Sequence, residues 1–372
     1  MANRWCDGLG RYGGNKALML NGSSSQAWAQ VSGYWNLSTA NPRTGTHCLR
    51  LTDQIPTSEA RRVFGEPLEE VLFGFALFAH DLPSREPAIG ASASSSEVLL
   101  AGGVSFDIRD QANIPQLSFI LGTDGAIEVR RRPGGPYGTS QLIARTVPVI
   151  GAGAYQHVEI YARASNENGA IEIRVDEITR LNLTGIDTVS SSSVEFSQVS
   201  WGAGFNGAAP TIDLADFYCN DTVNDGSGCH TFIGDCKSGW LQPNTNTAQA
   251  DFTLSAGASG YALLDDLPPD DATYIETASA TARSDFGLQN PPANLVEVLT
   301  ARPAVRAMKD DAGTALIAPS LVSNGVKAAV EDQPVTTAFA YYDQNVPFDP
   351  DTAAPWDLAG LTAALEAIER TA

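Results

Sequence analysis

Three cysteines and one histidine lie close together near the middle of the chain: Cys219, Cys229, His230 and Cys236. Thiolates and imidazoles are preferred zinc ligands, so this group is the first candidate for metal chemistry. The spacing lacks the Cys-x-x-Cys pair of zinc knuckles, and the adjacent Cys229 and His230 would point to opposite sides of a strand. We therefore expect no metal and no cofactor. The competing interpretation is a buried Cys219 and a contact between Cys229 and Cys236.

Paired carboxylates on one strand face would indicate glycan cleavage, because glycosidases use two carboxyl groups across the scissile bond. Glu172 and Asp176 share strand parity, but Arg174 lies between them and no third carboxylate completes the pattern. The sequence also lacks a Gly-x-Ser-x-Gly nucleophile motif and a Walker phosphate loop. We predict that the chain is not an enzyme and that this strand face is solvated.

Aromatic side chains offer a different chemistry, the stacking of sugar rings. Tyr34, Trp35 and Trp201 are the ligand-binding candidates of this kind. Large aromatic rings are equally suited to a hydrophobic core. We expect burial for at least two of the three.

The elements that must position these residues are short strands. Residues 71–78 form a continuous apolar run, which is typical of a strand buried on both faces. Alternating strands flank Asp124-Gly125, residues 168–169 and Asn324-Gly325, and such pairs predict hairpins. Many half-apolar strands without helical periodicity favour a two-sheet sandwich.

Changes in amino-acid composition along the chain predict its domain boundaries. We expect a sandwich over residues 1–220, a polar connector over 221–250 and a smaller β-rich domain over 251–372. The smaller domain should end in an amphipathic helix over 356–370. Its apolar stripe would consist of Leu358, Leu361, Leu365 and Ile368.

The net charge of the chain limits the kinds of partner that it can bind. The chain has 23 basic and 43 acidic residues, and its formal net charge is −20. Such a field repels nucleic acid and anionic lipid headgroups. No export signal or membrane-spanning run is apparent, so we expect synthesis in a cytoplasm and no membrane insertion.

Several stretches resemble structural proteins of tailed bacteriophages. Residues 5–12 (WCDGLGRY) and 43–51 (RTGTHCLRL) are similar to their opening motifs, and 348–356 (FDPDTAAPW) is similar to a C-terminal signature. Residues 155–176 and 212–218 resemble the paired and closing strands of laminin G-like jelly rolls. The resemblance covers most of the chain, although Leu9 stands where the family has phenylalanine.

This resemblance implies a mostly β, concanavalin A-like jelly-roll sandwich followed by the smaller domain. It further implies a non-enzymatic virion protein on the tail, baseplate or head surface, acting in assembly and host adhesion. The partners would be other virion proteins and further copies of the chain, with a trimer favoured. The Ala-rich outer faces of the expected C-terminal helix would suit such a contact. The alternatives are a lectin-like carbohydrate-binding protein that takes a host surface glycan and, third, a glycan-cleaving enzyme.

Overall fold

The computed structural model describes residues 3–372, except for 13–14, 21–27, 34, 44–46, 52–57, 85–87, 91–98, 102–103, 134–139, 204–209, 225, 227–228, 258, 267–268 and 294. The strands of the first domain are β1 (Asn3–Asp7), β2 (Trp28–Val31), β3 (Trp35–Ser38), β4 (Cys48–Leu51), β5 (Ser58–Leu68), β6 (Glu70–Ala79), β7 (Ala88–Gly90), β8 (Leu99–Ala101), β9 (Val104–Arg109), β10 (Pro115–Leu121), β11 (Ile127–Arg131), β12 (Gln141–Arg145), β13 (Tyr155–Arg163), β14 (Gly169–Val175), β15 (Ile178–Ile186), β16 (Phe196–Ala203) and β17 (Ile212–Asn220). A short helix, α1 (Lys16–Met19), follows a 3-10 turn at Gly10–Tyr12.

The second domain has shorter strands. They are β18 (Pro243–Ala250), β19 (Thr253–Leu254), β20 (Ile275–Glu276), β21 (Arg283–Leu288), β22 (Ala304–Ala307), β23 (Leu316–Ser323), β24 (Val326–Lys327), β25 (Gln333–Pro334), β26 (Ala340–Asp343) and β27 (Leu365–Arg370). The helical elements are a 3-10 turn at Tyr261–Leu263 and α2 (Leu358–Ala363). None of the described helices is long and apolar enough to cross a membrane.

Two antiparallel sheets form the predicted jelly-roll sandwich. One has eight strands in the order β15-β14-β13-β6-β17-β4-β3, with β1 paired to β17. The other has seven strands in the order β12-β11-β10-β9-β16-β5-β2. Alternate residues of facing strands, such as Phe73 and Phe75 on β6 and Phe106 on β9, fill the space between the sheets. The buried strand predicted over 71–78 is confirmed, because β6 lies between β13 and β17.

The hairpins predicted from Asx-Gly pairs are confirmed. Asp124-Gly125 joins β10 to β11, and Gly125 has a φ of +82°. Asn324 and Gly325 both have positive φ and join β23 to β24, the geometry of a tight two-residue turn. The β13–β14 hairpin also forms, but Gly169 is already the first residue of β14.

The second domain contains a six-stranded sheet with the order β18-β21-β27-β23-β24, in which β25 also pairs with β23. Separate two-stranded ladders join β22 to β26 and β19 to β20. Two small apolar cores lie against this sheet, one around Trp356 and Leu361 and the other around Phe286, Tyr342 and Ile368.

The helix predicted over 356–370 is wrong for its second half. The helix α2 ends at Ala363, and Ala364 takes an extended conformation before β27 begins. Strand β27 pairs with β21 on one side and β23 on the other. A central strand covered on both faces does not show the period of two, so the spacing of Leu361, Leu365 and Ile368 imitated a helix.

The predicted connector is also too long. Its last eight residues form β18, an edge strand whose side chains are mostly exposed, which explains their polar character. The rest of the connector, residues 221–242, rests partly on the outer face of the eight-stranded sheet. There the buried Glu159 accepts hydrogen bonds from the amides of Ile233 and Gly234, and Asp216 accepts one from the Ser238 amide.

Candidate functional site

The outer face of the seven-stranded sheet carries polar side chains. On β9, Val104, Phe106 and Ile108 point into the core, so Ser105, Asp107 and Arg109 point outward. The same alternation places Ser118 on β10, Ser200 on β16 and Arg61 on β5 on this outer face.

Strand register aligns these residues into one row across the sheet. Asp107 lies opposite Ser118 on one side and Ser200 on the other. Ser200 lies opposite Arg61, and Ser118 lies opposite Arg130. We call this set the polar row; its members in order are Arg130, Ser118, Asp107, Ser200, Arg61 and Gln30.

The centre of the polar row is deeply buried. Ser118 is 5%, Asp107 3% and Ser200 1% exposed, whereas Arg61 and Arg130 at the flanks are half-buried. The centre of the row is therefore not a solvated strand face.

Three polar atoms in the polar row lack hydrogen-bond partners among the described residues: Asp107 Oδ1, Ser200 Oγ and Arg61 Nε. Each has almost no contact with solvent. An unsatisfied buried polar group costs roughly 1–3 kcal/mol, and a folded protein contains few of them. The three lie on successive strands of one face, β9, β16 and β5.

Neighbouring ion pairs fix the side chains around the centre of the polar row. Arg109 Nη2 donates to Asp107 Oδ2 over 2.9 Å, and Arg109 Nη1 lies 3.2 Å from Glu59 Oε1. Glu128 is paired with Arg130 at 2.8 Å and with Arg145 at 3.4 Å. The free oxygen of Asp107 is thus held in a set direction by the bond that its other oxygen makes.

Across the sheet, the unpaired atoms are in turn one acceptor, one hydroxyl and one donor. Asp107 Oδ1 can only accept while ionised, Arg61 Nε can only donate, and Ser200 Oγ can do both. A neighbouring pair of alcohol hydroxyls matches this pattern, because each hydroxyl both donates and accepts. The polar row is therefore suited to a polyhydroxylated ligand.

The aromatic candidates do not contribute to this face. Trp35 and Trp201 are each 0% exposed and belong to the sandwich core, so their assignment as sugar-stacking residues is wrong. Trp201 packs between Trp28 and Phe217, with ring centroids 5.6 and 4.9 Å away. Tyr34 lies outside the described residues. The expectation that at least two of the three are buried is confirmed.

The four metal candidates are not brought together. Cys219 points into the sandwich core from β17, and Cys229 is buried with its thiol 3.8 Å from the Leu299 carbonyl oxygen. His230 and Cys236 lie in the connector, and Cys229 and Cys236 are not joined by a disulfide. Within the described part of the chain, no group of three or more His, Cys, Asp or Glu residues could hold a metal ion.

The carboxylates considered for cleavage are also separated. Glu172 is paired with Arg174 at 2.8 Å on the outer face of β14. Asp176 lies in the β14–β15 turn with a φ of +51°, where its side chain accepts a hydrogen bond from the His157 amide. The prediction of shared strand parity fails because the strand ends at Val175.

Sequence reasoning missed Asp107, Ser200 and Arg61. The available signal was the alternation of residues 104–109, in which apolar residues alternate with Ser105, Asp107 and Arg109. Such alternation identifies an outward polar face, but it is also found on any solvated strand. Only the register across three strands reveals that the polar atoms share one buried row.

Comparison with known proteins finds similarity among solved structures. No family model and no curated protein sequence matches it. Similar solved structures include a sialidase (13% identity, TM-score 0.36, covering 54% of this chain and 17% of the sialidase) and lectin II from Ulex europaeus (12%, 0.35, 59% and 99%). A carbohydrate-binding module from Bacillus subtilis is similar over 52% of this chain and 95% of its own, with 12% identity and a TM-score of 0.32. The strand order of the structure itself makes the chain a mostly β protein with a jelly-roll sandwich.

Proposed function

We propose that this chain is a non-enzymatic carbohydrate-binding protein that holds a glycan on the polar row of the seven-stranded sheet. The observation that carries the proposal is the succession of unpaired buried atoms on Asp107, Ser200 and Arg61. Sugar hydroxyls would satisfy all three at once, and the flanking arginines would contact the rest of the ligand. Binding sites typically combine a concave surface with a few fixed polar groups.

Binding without cleavage fits the carboxylates on this face. Glycoside hydrolysis needs two carboxyl groups, one of them free to act as an acid. Asp107 occupies the centre of the polar row, but Glu59 and Glu128 are both paired with arginines. This arrangement supports recognition by Asp107 without a second group to donate a proton.

Titration calorimetry against neutral and acidic oligosaccharides tests the proposal. We expect one ligand class to bind the unaltered chain and to bind Asp107→Asn and Ser200→Ala at least tenfold more weakly. Glu172→Gln, on the opposite sheet, is the matched control and should bind normally. If no oligosaccharide binds, or if the polar-row variants bind as well as the control, the proposal is wrong.

The same samples test the enzymatic alternative. Incubation with the polysaccharide that binds should release no reducing or unsaturated ends from the unaltered chain or from Glu172→Gln. Product release by the unaltered chain, abolished in Asp107→Asn, would instead establish an enzyme at the polar row.

We also propose a setting for this activity, the surface of a tailed-phage particle, where glycan binding would serve host adhesion. The resemblance of residues 5–12, 43–51 and 348–356 to phage structural proteins supports it. In the structure the Trp356 indole, at the end of the third stretch, donates to the Val346 carbonyl oxygen. Mass spectrometry of purified particles should find the chain in fixed ratio to known virion proteins, and its absence would refute the setting.

A further inference from the structure

Arg61, on the outer face of β5, carries a positive charge that no described carboxylate neutralises. Its Nη2 donates to the side-chain oxygen of Gln30 over 3.1 Å, and this partner is neutral. In the described part of the chain, no Asp or Glu oxygen lies within 4 Å of its nitrogen atoms. The neighbouring Arg109 differs, because Asp107 and Glu59 lie 2.9 and 3.2 Å from its two terminal nitrogens.

Most of the donors of Arg61 are unused. A guanidinium group has five N–H donors in a fixed fork, and the bond to Gln30 uses one of them. The Nε donor is buried and has no hydrogen-bond partner among the described residues. Leaving a buried charged donor without an acceptor costs more than leaving a neutral one. A carboxylate is the favoured acceptor, because its two oxygens match the guanidinium fork in a bidentate pair.

The two flanks of the polar row differ in charge. At one flank, Arg130 Nε donates to Glu128 Oε2 over 2.8 Å, so the arginine there already has its counter-charge. At the centre, the ionised Asp107 repels a second negative group. The flank of Arg61 is therefore the end of the row that suits an anionic part of a ligand.

Strand register places the unused donors of Arg61 beside the other unpaired atoms of the polar row. Arg61 lies opposite Ser200, and Ser200 lies opposite Asp107. Neighbouring strands are about 4.8 Å apart, a distance that one sugar residue can span. A sugar whose carboxylate pairs with Arg61 therefore brings its ring hydroxyls towards Ser200 Oγ and Asp107 Oδ1.

We propose that the glycan on the polar row is acidic, a class assignment that rests on the proposed function, and that the carboxylate of a uronic acid residue pairs with Arg61. The hydroxyls of that residue meet Ser200 and Asp107. The net charge of the chain is −20, which repels acidic glycans from most of its surface. An acidic glycan therefore needs a local, unneutralised guanidinium group to bind.

A thermodynamic cycle between Arg61 and the carboxylate tests the pairing. The probes are hexasaccharides of galacturonate and of hyaluronan, each compared with its own carboxyl-reduced form by titration calorimetry. We expect the unaltered chain to bind the acidic form of one probe about tenfold or more tighter than its reduced form. Arg61→Gln should lose this preference and bind the reduced form nearly as well as the unaltered chain does, because one pair cannot be lost twice.

Arg163→Gln is the matched control on the opposite sheet. Arg163 is half-buried like Arg61, and its Nε also donates to a neutral acceptor, the Asn168 carbonyl oxygen, over 2.8 Å. Its replacement removes the same charge from the chain, so a general effect of net charge on acidic ligands would appear in both variants. We expect Arg163→Gln to keep the full preference for the acidic form.

The possible failures of this inference and of glycan binding are distinguishable. If only neutral oligosaccharides bind, if the acidic and reduced forms bind equally, or if Arg61→Gln keeps the preference of the control, the acidic assignment is wrong and glycan binding stands. If no oligosaccharide binds, both are wrong. The comparison of the two forms on the unaltered chain is decisive even if Arg61→Gln does not fold.

Discussion

Arg11 Nη1 donates to Asp343 Oδ2 over 2.7 Å, and this buried pair joins the first turn of the sandwich to the last residue of β26. The two residues are 332 positions apart in the sequence. Long-range burial of this kind makes the two domains one thermodynamic unit, because neither charge is satisfied if the domains separate.

Replacement of Asp343 by Asn should lower the free energy of unfolding by about 3–5 kcal/mol, because it leaves Arg11 and Arg302 buried without their carboxylate. Urea denaturation measures the change. The more exposed pair of Arg174 and Glu172 is the control, and Arg174→Met should cost about 1 kcal/mol or less. Similar losses in both variants would show that the junction is not a buried, coupled pair.

His157 should make the sandwich sensitive to acid. It is 1% exposed, neither ring nitrogen has a partner among the described residues, and burial lowers its pKa from 6.5 to about 4. The unfolded chain therefore binds a proton that the folded chain rejects, and stability falls as pH drops from 6.5 towards 4. The full effect is about 3 kcal/mol.

Denaturation at a series of pH values tests this expectation. His157→Phe keeps a ring against Tyr218 and should lose the part of the pH dependence that lies between 6.5 and 4. An unchanged slope in that window would assign the acid sensitivity to other groups.

Glu366 should act in the opposite direction in the second domain. Burial raises its pKa from 4.5 to about 7, although the Ala304 amide lowers it. The folded state therefore holds a proton that the unfolded state has lost, and stability falls as pH rises from 4.5 through 7. Glu366→Gln should flatten the stability profile across this range, and a profile that keeps its slope would contradict the assignment.

The connector should depend on Glu159 for its position. Burial raises the pKa of this carboxyl group, although hydrogen bonds from Tyr218, Gly234 and Ile233 lower it. In Glu159→Gln the amides of Ile233 and Gly234 should exchange hydrogen about tenfold faster, since a weaker acceptor holds them. The Ser238 amide, bonded to Asp216, is the internal control. Unaltered protection of Ile233 and Gly234 would show that other contacts hold the connector.

Self-association stays a prediction, but the structure removes one argument for it, the long amphipathic C-terminal helix. The apolar stripe of a long C-terminal helix does not exist, because Leu365 and Ile368 lie on β27 and Leu361 packs in a core. Symmetric assembly is the general rule for homo-oligomers, and we still expect a trimer. Light scattering at physiological ionic strength should give about three times the chain mass, and a monomer at all micromolar concentrations would refute it.

The sequence was informative where a local signal determines local structure. Asn324-Gly325 determines its turn because the residues themselves tolerate positive φ. The run around Phe73 and Phe75 could only be a buried element, and its length favoured a strand. These signals together implied the sandwich.

The predictions that failed concern structure that forms only when distant segments of the chain pair. Strand β27 has helical spacing in sequence and becomes a strand only because β21 and β23 flank it. The polar row has the same origin, since Asp107 and Ser200 are 93 positions apart and meet only through strand register. Single-residue chemistry made Trp201 a candidate for sugar stacking and equally a candidate for the core, and only the fold shows that its ring is buried.

The most direct test of glycan binding compares affinity with stability in Ser200→Ala. A hydroxyl that serves a ligand can be removed without structural loss, so the free energy of unfolding should stay unchanged or rise slightly. Glycan affinity should fall at least tenfold, because the sugar loses its partner at the centre of the polar row. The contradicting result is unchanged glycan affinity together with a free energy of unfolding lowered by about 1 kcal/mol, the size expected for a lost internal hydrogen bond. Ser200 would then be a structural residue, and the proposed function would be wrong.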